Sequence, residues 1–115
     1  MAHQDQVLQE RRQDVRRPVH ITALLDRHGL TPRVVIVDYS RGGLRIDRAF
    51  EVAVGEHVTV ELLSGHRIPV EVVWAVGAQI GARFLGTVQP GHPAMVALEE
   101  AAKKYKRVHR STKVT

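Results

Sequence analysis

A mainly β fold with one C-terminal helix is what this sequence predicts, on three observations. Between Val19 and Leu85, apolar residues recur at every second position in six short runs. Gly, Pro, Asp and Ser stand between those runs, and these residues favour turns. After "QPGHP" the apolar spacing changes to that of a helix. Short antiparallel strands with no helix between them suggest a small barrel or sandwich, and closure would remove exposed sheet edges.

Each element has its own signature. Residues 1–10 carry little pattern. Val19, Ile21, Ala23 and Leu25 then fall on one face, with His20, Thr22 and Leu24 on the other. This alternation marks a strand with one buried side. "DRHGLTP" (26–32) breaks it with Gly29 and Pro32. The second strand covers about 33–38 and the third about 43–48. "AFEVAVGE" (49–56) is a loop ending in a glycine turn. "HVTVELL" (57–63) directs Val58, Val60 and Leu62 inward. "SGH" (64–66) is a tight connection. "RIPVEVVWAV" (67–76) groups Ile68, Val70, Val72 and Trp74 on one face, which assigns Trp74 to the core. Pro69 has no N–H for a ladder, so this strand is expected at an edge or with a bulge. "QIGARFL" (79–85) brings Ile80, Ala82 and Phe84 inward and leaves Arg83 outward.

Met95, Leu98, Ala102 and Tyr105 form a helical stripe, with Pro93 suited to its first turn. Glu99–Lys103 and Glu100–Lys104 have the favourable i,i+4 order. The stripe packs on the β layer or seals a homodimer. The expected organisation is one domain over about 10–105, with a flexible N-terminal arm (1–17), a β-barrel (18–88), a helix (91–107) and a basic tail (108–115).

The totals narrow the function. The chain has 115 residues, no cysteine, a formal net charge of +5 and a pI of about 10.2. Disulfides and thiolate metal sites are therefore excluded. The polar N-terminus is no secretory signal, and no apolar run suggests a membrane span, so a cytoplasmic protein without membrane insertion is expected. The basic excess permits a phosphate-bearing partner. It is concentrated in "KKYKRVHRSTK" (103–113), with six Lys or Arg and no acid. Seven histidines occur, but none in an HxH or HExxH spacing. No nucleophile elbow or P-loop is present either. Neither an enzyme nor a metal site is expected.

Two motifs remain. "ERRQDVRRPV" (10–19) clusters arginines just before the first strand. A guanidinium offers a planar fork of donors that can grip a phosphate or the O6/N7 edge of guanine, and it stacks on rings. "DYSRGG" (38–43) supplies a carboxylate able to accept from a guanine N1–H and N2–H₂ edge, and a hydroxyl able to donate to phosphate. Its two glycines, Gly42 and Gly43, are able to adopt positive φ and let amides approach an anion. Arg16 and Asp38 are both expected at the surface.

RxxxR, a strand, a turn, a second strand and DxSxxG, all within a small β fold, resemble the PilZ family of cyclic di-GMP receptors. The RxxxR is Arg12 to Arg16, and the DxSxxG is Asp38 to Gly43. "VGEHVTVEL" and "GARF" are similar to later family segments. The resemblance implies a six-stranded antiparallel PilZ-type barrel with a C-terminal helix. It also implies no enzymatic activity and no cofactor, with cyclic di-GMP as ligand of a bacterial signalling receptor. Arg12 and Arg16 would grip guanine and phosphate from the arm. Asp38 and Ser40 would receive them on the barrel, and Gly43 would keep the backbone clear. Arg11 precedes RxxxR, as in members that resemble binders of an intercalated ligand pair. Arg83 and Trp74 occupy positions that cover a guanine in some relatives. With no output domain in the sequence, signalling would run through an unidentified protein partner, from a monomer or a homodimer. The rival readings are a basic β-barrel for RNA or DNA and an interaction module that binds no nucleotide. Scattered aromatics weigh against nucleic acid, because single-strand binders need a stacking platform.

Overall fold

The computed structural model describes residues 15–86 and 91–114. Six antiparallel strands form a closed barrel in the order β1-β2-β3-β6-β5-β4. They are β1 (Arg17–Asp26), β2 (Arg33–Tyr39), β3 (Gly43–Asp47), β4 (His57–Leu62), β5 (Arg67–Val76) and β6 (Gln79–Phe84). One helix follows, α1 (Pro93–Val114). It runs on through residues 108–114, where the sequence predicts a basic tail.

The period-two runs line the interior. Val19, Ala23 and Leu25 meet Val34 and Ile36, Leu44 and Ile46, Val58 and Val60, Val70 and Val72, and Ile80 and Phe84, all buried. Burying such side chains stabilises by about 1.5–3 kcal/mol each before entropy is counted. Ala94, Met95 and Leu98 of α1 join this core, with Ala101 and Ala102 packed at its margin. The helix lies against β1. Its start is capped by His92, whose Nδ1 accepts from the Ala94 amide at 3.1 Å. Glu100 pairs with Lys103 at 3.7 Å, three residues away rather than with Lys104 at four.

Of the two alternatives expected for the Pro69 strand, the bulge holds and the edge does not, because a closed barrel has no edge strand. Pro69 stands opposite Thr59, and its carbonyl accepts from the Leu85 amide at 3.0 Å. The bulge of β5 lies further on, between Val72 and Trp74.

Candidate functional site

The outer wall of the barrel carries Asp38 and its arginine partners, and β-bulges decide what faces it. β1 has one between Pro18 and Ile21, and those of β2 and β5 bear on the site most directly. In β2, Ile36 pairs with Ile46, but Asp38 pairs with Arg45, so two residues of β2 oppose one of β3. A bulge of this kind inverts the alternation beyond it. Asp38 has the same parity as core residues Val34 and Ile36, yet stands with exposed Arg45. Tyr39 turns inward instead, opposite Leu44. β5 repeats the device. Val72 pairs with Ala82, and Trp74 pairs with Gly81. Strict alternation places Trp74 in the core; the bulge brings it to the outer face, where it is half-buried.

Asp38 is the centre of the charged cluster. Its Oδ1 accepts from Arg16 Nη1 at 2.8 Å, and its Oδ2 pairs with Arg45 Nη2 at 2.7 Å. The expectation of an exposed Asp38 is corrected. Its side chain is only 6% exposed, while those of Arg16 and Arg45 are 46% and 44% exposed. The arginines cover the carboxylate and present their own outer donors. Neither sequence motif includes Arg45, although a hairpin closed by "SRGG" brings it opposite Asp38. A carboxylate has about four acceptor positions, so each oxygen retains capacity after one guanidinium contact.

The turn after Asp38 is tightly built. Ser40 is buried. Its amide donates to the Gly43 carbonyl at 2.9 Å, and its Oγ accepts from the Gly42 amide at 3.2 Å. The Ser40 hydroxyl hydrogen is not used in either bond. The Gly42 carbonyl accepts from the Phe84 amide at 2.9 Å, tying the turn to β6. Gly42 and Gly43 do not have positive φ, contrary to the nest reading. Gly43 is required by close approach instead. A Cβ there would stand 2.0 Å from the Ala82 carbonyl oxygen. Arg83 lies opposite Gly43, and also opposite Glu71, with which it forms an ion pair.

Two rows thus cross the wall. Asp38, Arg45, Gly81 and Trp74 occupy one, on β2, β3, β6 and β5. Gly43, Arg83 and Glu71 occupy the next. Arg16 joins the first from the residue preceding β1. Arg11 and Arg12 lie outside the described residues. No helix among the described residues is long and apolar enough to cross a membrane.

The described residues thus form a closed six-stranded antiparallel barrel with an arginine–carboxylate cluster on its wall. The PilZ domain model matches residues 10–96, and the chain belongs to the PilZ domain family. This is a family of cyclic di-GMP receptors, which act as non-enzymatic binding modules. No curated protein matches the chain.

Proposed function

We propose that this chain is itself a cyclic di-GMP receptor. The observation that supports this reading most directly is the Arg16–Asp38–Arg45 cluster, which joins the first motif to the second across the β1–β2–β3 wall. The ligand has two guanines and two phosphates. Arg16 grips guanine or phosphate with the donors that Asp38 does not use. Asp38 supplies acceptor capacity for a guanine edge. Ser40 donates to phosphate from the turn. Arg12 acts with Arg16 from the arm, and Arg11 stacks between guanines when two ligands bind each chain. Arg83 reaches the ligand after exchanging its contact with Glu71, and Trp74 covers a guanine face.

Ligand binding changes the surface that the wall presents. A protein partner then reads the changed surface. Calorimetric titration with cyclic di-GMP tests this, with Arg16→Ala in parallel. Saturable heat that is lost in the variant is the expected result. Two ligands per chain would support the role given to Arg11. No heat from folded protein would overturn the receptor reading.

A further inference from the structure

We propose that Gly81 is a positioning residue, which seats the Trp74 indole flat on the barrel wall as the floor of a base-stacking site. The inference rests on the cyclic di-GMP reading and extends it to a residue outside both sequence motifs.

The geometry is specific. A Cβ added to Gly81 would stand 2.0 Å from Trp74 Nε1, 2.4 Å from Cε2 and 2.7 Å from Cδ1. The five-membered part of the indole therefore occupies the space that any side chain at position 81 would need. Gly81 has no positive φ. Its backbone is available to other residues, so glycine is required here by space alone. Gly81 pairs with Arg45 on one side and Trp74 on the other. The indole thus bridges the step between the charged cluster and β5. With strands about 4.8 Å apart, Asp38 to Trp74 spans roughly 14 Å of wall. One end offers a carboxylate and guanidiniums, and the other an aromatic face.

The bulge at Val72/Trp74 supplies the second half of the argument. Without it, Trp74 would continue the inward row of Val70 and Val72, and Gly81 would have nothing to admit. The bulge and the glycine each make sense only with the other. One turns the ring outward, and the other lets it lie down. An indole lying on backbone keeps its outer face for a π-partner. A purine base is such a partner, and stacking on an aromatic contributes substantially to nucleotide binding. An indole lifted by a methyl group would lose both the seat and its alignment with Arg45.

Trp74 is the only tryptophan in the chain, so its emission reports on the site directly. The test is fluorescence and calorimetric titration with cyclic di-GMP of the wild type, Gly81→Ala, Trp74→Ala and the double variant. Wild-type emission is expected to be quenched saturably. Unliganded Gly81→Ala is expected to emit at longer wavelength, from a more hydrated indole, and to bind at least tenfold more weakly. In the Trp74→Ala background, Gly81→Ala is expected to cost no further affinity, because Gly81 acts through the indole. A merely structural glycine would lower affinity equally in both backgrounds, and that result would overturn the inference. Equal affinity of wild type and Trp74→Ala would also overturn it, and this arm stands even if Gly81→Ala does not fold. If the folded wild type binds no cyclic di-GMP, the receptor reading fails, and this inference with it. Binding that Arg16→Ala removes and Trp74→Ala leaves intact rejects the stacking floor alone.

Discussion

Asp38 and Arg45 face each other across a β-bulge, with Asp38 Oδ2 and Arg45 Nη2 2.7 Å apart. Arg16 holds the other oxygen at 2.8 Å. Removing the carboxylate leaves two guanidiniums side by side without their shared anion. Asp38→Ala is therefore expected to lower stability by about 1–3 kcal/mol as well as to weaken ligand binding. Arg45→Ala leaves Asp38 paired with Arg16 and removes a half-exposed side chain, so its stability cost is expected below about 1 kcal/mol. Urea unfolding of both variants checks this ordering. Equal stability of Asp38→Ala and wild type would show that the cluster contributes nothing to the fold.

Gly43 carries a different burden. The Cβ of an alanine there would meet the Ala82 carbonyl oxygen at 2.0 Å and the Arg83 Cα at 3.0 Å. Both are backbone atoms of β6, so no side-chain rotation relieves the clash. β3 and β6 would have to separate at the turn that holds Ser40 and Gly42. Gly43→Ala is expected to cost more than about 3 kcal/mol, or to prevent folding. The midpoint of chemical unfolding measures it. An unchanged midpoint would mean that the two strands have slack at this position.

These residues also show what is legible in the sequence. Strand positions and inward faces are readable because period two reports a half-buried strand wherever the pairing is regular. Val34, Ile36, Val58 and Val60 obey it. Asp38 and Trp74 do not, because a bulge changes facing without changing the local sequence pattern. The burial of Asp38 is hidden for another reason. It arises from two arginines, Arg16 far away in sequence and Arg45 across the same hairpin but in neither motif. The requirement for Gly43 is visible as a glycine, but its cause is not. Close approach of two strands and positive φ select the same residue.

Tyr39 lies between the motif residues Asp38 and Ser40, yet its ring points into the core. It is buried, and its hydroxyl has no hydrogen-bond partner among the described residues. Burial pushes the Tyr39 hydroxyl pKa up, with Arg17 opposing and Glu99 adding to the shift. An unsatisfied buried hydroxyl costs about 1–3 kcal/mol, and Phe keeps the ring. Tyr39→Phe is expected to unfold at the same or a higher denaturant concentration than wild type, with a gain of up to about 1 kcal/mol. A clear loss of stability would mean that the hydroxyl is satisfied in solution.

Two carboxylates beside β1 and β4, Asp26 and Glu56, should make stability sensitive to acid. Arg27 donates through Nε to Glu56 Oε2 at 3.0 Å and through Nη2 to Oε1 at 2.9 Å, and the Ala53 amide donates to Oε1 at 3.0 Å. The Arg27 fork, assisted by that amide, holds the Glu56 carboxyl below its usual 4.5. Asp26 is held below 3.8, chiefly by its hydrogen bond from Arg67 at 2.7 Å. Both groups release their protons more readily folded than unfolded, so the unfolded chain binds more protons in this range and stability rises with pH. Their contribution is complete above the unfolded values and is lost as pH falls through the lower folded ones. The thermal midpoint should therefore fall on acidification below about pH 4.5. Glu56→Gln removes one of the two titrations. The variant should be less stable than wild type at neutral pH, and the gap should narrow in acid. Parallel unfolding curves at every pH would show that the Arg27–Glu56 pair does not couple protonation to folding.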